Sequence, residues 1–167
     1  MMQLQPTLPT ILLAAATGAR SMTGLAASAR SVGAREPHAE QLQPARFVAS
    51  RSVAGTTAAL AAMELLADKL PGIPNRTDAL PLVGRAAAGA LIGATIAAAA
   101  RRDRVTGAAA GAVIALLSAH LSFRARRALA ERLGPTAAAV VEDVVVCSLA
   151  AVGVAAMNRR AEAEEQQ

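Results

Sequence analysis

Five apolar stretches of nineteen to twenty-three residues constrain this chain more than any other feature, each bounded by charge, proline or glycine. They cover residues 10–29, 47–66, 82–100, 105–123 and 135–157. Helices of that length reach roughly 28–35 Å, against a hydrocarbon layer about 30 Å thick. Alanine runs such as Ala86-Ala87-Ala88 favour helix, and no period-two alternation of branched residues supports strands. Val144-Val145-Val146 lies inside a longer apolar run that suits a lipid-facing helix. The expected fold is therefore all-α. It is a polytopic membrane protein of four to five short transmembrane helices, closely packed through alanine and glycine. Residues 1–160 read as one integral membrane domain, and 161–167 as a disordered acidic tail with fraying from Arg159 onward.

Composition narrows the alternatives. Of 167 residues 45 are alanine, Trp and Tyr are absent, and Phe47 and Phe123 are the two phenylalanines. An aqueous core leans on aromatics and large aliphatics, so a soluble globule would be poorly supplied. The net charge of +5 invites a nucleic-acid reading. Against it, single arginines are strung between apolar segments with no aromatic residues to stack on bases. Arginines at segment ends fit the headgroup layer instead. Cys147 is the lone cysteine and reads as a small buried packing residue. His38 and His120 lack metal-ligand spacing, and no nucleophile elbow or phosphate-binding loop occurs, so neither enzyme activity, metal nor cofactor is expected. Ala27-Ser28-Ala29 resembles a signal-peptide cleavage site, but Arg20 and the lack of a basic start argue against one.

The charges inside the apolar segments call for explanation, since one at bilayer depth costs about 2.5–3.5 kcal/mol on insertion scales. Arg20 lies within Gly18-Ala19-Arg20-Ser21-Met22-Thr23-Gly24, a setting for a broken or kinked helix. Glu142 and Asp143 are adjacent and so point about 100° apart, letting one meet a partner while the other reaches water or a second helix. Glu64 and Asp68 share a helical face, with Lys69 beside them. Together with Ser21, Asp78 and Arg85, the last in the first turn of the third segment, these residues form the candidate ion or substrate pathway. One reading makes them buried ion pairs, Arg20 with Glu142, Asp143 or Glu64, that fix helix register. The other makes them the lining of a polar cavity that handles an ion, a proton or a polar group.

The third and fourth segments carry an echo at 22 residues: Ala86-Ala87-Ala88-Gly89-Ala90-Leu91-Ile92 and Ala108-Ala109-Ala110-Gly111-Ala112-Val113-Ile114. Gly89/Gly93 and Gly107/Gly111 are each spaced by four, the pattern that lets helix backbones approach closely in lipid, so these two helices should pack together. Between them Arg101-Arg102-Asp103-Arg104 reads as a tight basic hairpin, while residues 70–81 hold three prolines and should not form a regular helix. Leu121, Ala125, Leu129 and Leu133 opposite Arg124, Arg127 and Glu131 predict an amphipathic continuation of the fourth helix, lying at the interface.

With these residues in place, the chain resembles a family of small bacterial membrane proteins described as domain of unknown function 4126. The resemblance rests on Gly18-Ala19-Arg20-Ser21, on Glu64-Leu65-Leu66-Ala67-Asp68-Lys69-Leu70-Pro71-Gly72 with Pro74 and Asp78, and on Val141-Glu142-Asp143. It implies an integral protein of the bacterial inner membrane, multi-pass, with unsettled activity. The lipid bilayer is then its first partner, a homo-oligomer is expected because thin helices enclose little volume, and nucleic acid is not. Two functions follow as expectations: a small transporter or channel-like protein for an ion or polar solute, or a non-transporting membrane scaffold. With the N-terminus outside, nine of the seventeen Lys and Arg fall on the inner side, seven on the outer, and Arg20 within the first segment.

Overall fold

The computed structural model describes residues 7–20, 23–33, 55–57 and 79–165. Every regular element among them is helical: α1 (Leu8–Ala19), α2 (Thr23–Gly33), α3 (Ala79–Ala99), α4 (Arg104–Leu133) and α5 (Pro135–Glu165), with residues 55–57 in a further helical turn. The second apolar stretch lies outside the described residues, residues 55–57 excepted.

Among the described residues three helices are long and apolar enough to cross a membrane, over Pro81–Ala99, Arg104–Leu133 and Pro135–Arg159. The first apolar stretch differs. Rather than one span of twenty residues it gives two helices of 12 and 11 residues, parted at Arg20, whose backbone is extended. Helices of that size reach roughly 18 Å, well short of the bilayer. The chain also doubles back, because Gly24 near the start of α2 lies against the Thr17 hydroxyl and the Leu13 carbonyl of α1. Glycine is required there: a Cβ at position 24 would strike both groups.

Helix boundaries follow local chemistry. Pro81 falls in the first turn of α3, where a missing N–H costs nothing, so α3 starts earlier than the proline-rich stretch suggests. At its other end Arg102 N–H donates to Ala97 O at 2.8 Å and Arg101 N–H to Ala98 O at 3.1 Å. This closure places Arg101 in the left-handed region, φ 51°. A side chain there costs about 1 kcal/mol relative to glycine. Arg101→Gly is accordingly expected to raise the melting temperature of the detergent-solubilised protein by a few degrees, read by a thermal unfolding scan. Asp103 then caps α4 by accepting from Thr106 N–H at 2.7 Å, and hydrogen bonding from the Thr106 side chain, with this N–H second, holds its carboxyl below the usual carboxylate value. The tight basic hairpin is thus borne out.

The continuation of the fourth segment as a helix is borne out, since α4 runs unbroken to Leu133, though Leu121, Ala125 and Leu133 of its apolar stripe are exposed. Gly134, φ 83°, and Pro135 at the first position of α5 then turn the chain. The acidic end expected to fray from Arg159 remains helical to Glu165. Its Ala-Glu-Ala-Glu-Glu sequence is made of strong helix formers that extend α5.

Packing matches the small-residue expectation. α3 and α4 lie antiparallel about the 100–103 turn, with Gly89 against Gly111 and Gly93 against Gly107. The 22-residue echo therefore brings its equivalent glycines, 89 and 111, face to face. α1 runs antiparallel to α5: Leu13 meets Gly153, while Ala16 and Ala19 cluster with Val146 and Ala150. Outside this core Val105, Val113, Leu117 and Leu121 of α4, and Val144, Val145 and Val152 of α5, are exposed. Such faces suit lipid. Cys147 lies on that outer side and is exposed rather than buried, because the inward positions of α5 are taken by Val146 and Ala150.

Candidate functional site

A polar row crosses the interior where the α1–α2 break meets α4 and α5. Arg20 stands at the break because Gly18 and Ala19 close α1 on small residues, and the Arg20 N–H still donates to Ala16 O at 2.9 Å. Its side chain is 1% exposed, and its Nη2 donates to Oδ1 of Asp143, itself 19% exposed. The neighbouring carboxylate turns to a different helix: Glu142 Oε2 accepts from Arg126 Nη1 of α4 at 3.1 Å. The 100° offset between adjacent helical residues thus serves two partners, as their spacing predicted. Arg20, Arg126 and Glu142 make further polar interactions besides these.

Arg126 went unnoticed in the sequence because it stands among the arginines of an exposed-looking amphipathic stretch. A signal was available. Arg126 lies eight residues before Gly134 and Glu142 eight after it, so an antiparallel α4–α5 turn brings them level. That level is about 12 Å along each helix from the turn, and three residues beyond Phe123, where the apolar stretch of α4 ends. The row therefore belongs near one end of the apolar layer, not at its centre.

Hydroxyls surround the break. Ser118 Oγ of α4 donates to Ala15 O of α1 at 2.7 Å, which locks the two helices where Gly18 backs onto Ala115. Thr17, wholly buried, and Thr23 carry buried hydroxyl oxygens that take no hydrogen-bond partner. Thr23 is one of the two hydroxyls that marked the break in the sequence; Thr17 did not stand out, for want of any pattern around a single hydroxyl in an apolar helix.

The other expected pathway residues divide in two. Arg85 is seven residues into α3, because that helix begins at Ala79, and it is 3% exposed and engaged in a polar interaction. It is therefore buried inside the protein and lies beyond the first turn of its helix. Ser21, Glu64, Asp68, Lys69 and Asp78 lie outside the described residues. His120 is exposed on α4, its Nδ1 2.9 Å from Leu116 O.

Spans of this length and hydropathy, an outer face of valine and leucine, and charges gathered inside against one another define an all-helical integral membrane protein. The chain belongs to the family described as Domain of unknown function (DUF4126), whose model matches residues 8–157. That stretch includes all four helix-packing glycines and the whole polar row. Neither curated proteins nor solved structures match the chain.

Proposed function

We propose that this protein moves a small ion or polar solute across the membrane, as a compact transporter or channel-like protein whose polar row acts as the gate. The observation that carries the reading is the broken helix: α1 ends at a buried arginine whose charge is answered by Asp143 of a different helix. Interrupted helices placed against charged groups are how membrane proteins build solute sites, because the freed backbone groups need polar surroundings. A second pair beside it, Glu142 with Arg126, provides an exchange of partners along one row. In this reading the protein is no enzyme and requires no cofactor. It works as a homo-oligomer in the inner membrane of a bacterium, with the charged positions lining a polar cavity between helices.

The test is flux in proteoliposomes. Glu142→Gln is expected to fold, since Arg126 is exposed enough to hydrate when its partner loses charge. It should lower flux of a small permeant ion at least tenfold while oligomer size and yield persist. The double variant Arg20→Met/Asp143→Leu removes both charges of the inner pair together and should abolish flux. Wild-type flux in both variants would overturn the reading. It would favour a scaffold, whose activity would track the Arg124–Arg132 stretch of α4 instead.

A further inference from the structure

The packing of α1 fixes how deep it reaches. Gly18 lies against Ala115, one residue past the middle of the apolar run 105–123 of α4. α1 therefore stops near the middle of the layer. Leu8 lies roughly 15 Å back along its axis, which brings it to one surface of a layer about 30 Å thick. Contacts with α5 say which surface. Leu12 and Leu13 lie against Gly153, Ala16 and Ala19 cluster with Val146 and Ala150, and Arg20 pairs with Asp143. Along α5 these partners run in descending order, so the Leu8 end of α1 stands beside the far end of α5. That is the surface of the α3–α4 turn, because α5 leaves the Gly134 turn at the opposite one.

α2 then returns instead of continuing. Gly24 lies against the Thr17 hydroxyl and the Leu13 carbonyl, on the side from which α1 came. Leu25 clusters with Leu13 and with Ile92 and Ile96 of α3, which lead into the 100–103 turn. A chain bound for the far surface would carry residues 24 and 25 towards the Gly134 turn. Non-helical backbone at membrane depth is tolerated only where protein covers it. The break meets that condition, since Arg20 is 1% exposed and most of α1 is buried. We infer that α1 and α2 form a re-entrant hairpin, which enters from the surface of the α3–α4 turn, tips at Arg20 and leaves by the same surface. Leu8, Gly33 and the C-terminal end of α5 then all face one side of the membrane, whereas five full crossings would put Leu8 and the end of α5 on opposite sides. This topology holds whether or not the protein conducts a solute.

The test is labelling of single cysteines by a membrane-impermeant maleimide, on the full chain carrying Cys147→Ala, in sealed right-side-out and inside-out vesicles. Leu8→Cys, Gly33→Cys, Arg102→Cys and Glu162→Cys should all label in one orientation, and Thr136→Cys only in the other. Labelling of Leu8→Cys or Gly33→Cys together with Thr136→Cys overturns the hairpin. Silence of both in either orientation overturns it too, since their ends would then lie within the layer. A cysteine pair reads the packing independently. A Cβ at position 153 would stand 3.2 Å from that of Leu12, near the separation that a disulfide spans. Mild oxidation should therefore close a bond within the chain in most molecules of Leu12→Cys/Gly153→Cys, and in none of Leu12→Cys/Thr136→Cys. Failure of the first pair to close overturns the inference, as does closure of the second.

Discussion

Asp143→Asn is expected to cost about 3–5 kcal/mol of stability, the penalty for breaking a buried ion pair by removing one of its charges. The reason lies in Arg20, which is 1% exposed and whose guanidinium cannot shed its proton to escape. Arg20→Met should cost less, because Asp143 is 19% exposed and can reach polar surroundings. Arg20→Met/Asp143→Leu should recover most of the loss, since apolar replacements of similar volume often equal a buried pair in stability. Thermal unfolding in detergent of the unaltered chain, Arg20→Met, Asp143→Leu and the double variant closes a double-mutant cycle, and the expected coupling is at least 2 kcal/mol. Additive single effects would mean that the pair does not hold the α1–α2 hairpin to α5.

The second large effect falls on the glycine seam, where one kind of substitution should change sign with position. Gly84 is exposed and a Cβ added there would meet nothing within 4 Å, so Gly84→Ala should stabilise by up to about 1 kcal/mol through helix propensity. The same change at Gly93 places a methyl on the Gly107 carbonyl oxygen, and at Gly107 it places one 2.5 Å from both the Ala97 Cβ and Gly93 O. Backbone cannot retreat as a flexible side chain would, so α3 and α4 must separate. Overpacking of this kind costs about 1–3 kcal/mol per site. Gly93→Ala/Gly107→Ala should therefore lower the melting temperature strongly while Gly84→Ala raises it, both read on the detergent-solubilised chain. Equal effects at positions 84 and 93 would rule out close backbone contact between the two helices.

Particular residues show how far the amino-acid order alone reaches. The four-residue glycine spacings revealed the α3–α4 seam because period and helix geometry are both local. The glycines and hydroxyls around Arg20 marked the helix break for the same reason, and the adjacency of Glu142 and Asp143 predicted two separate partners. Arg85 and Cys147 were misplaced because their environments depend on where a helix begins and how it is rotated, which no local pattern states. Glu64, Asp68, Lys69, Asp78 and Ser21 carry the expectation of a pathway on sequence alone, being outside the described residues.

What the order of residues determined by itself is the solvent and the secondary structure: apolar runs of span length, rich in alanine, have to satisfy their backbone as helices in lipid. Only the tertiary structure decided that α2 doubles back on α1, that Arg20 takes Asp143 rather than Glu142, and that Arg126 completes the row. Those choices turn on the rotation and mutual height of helices distant in sequence. Such quantities are set by how glycine and alanine faces pack, and a one-dimensional pattern holds them only where a tight turn, as at Gly134, ties two helices into register.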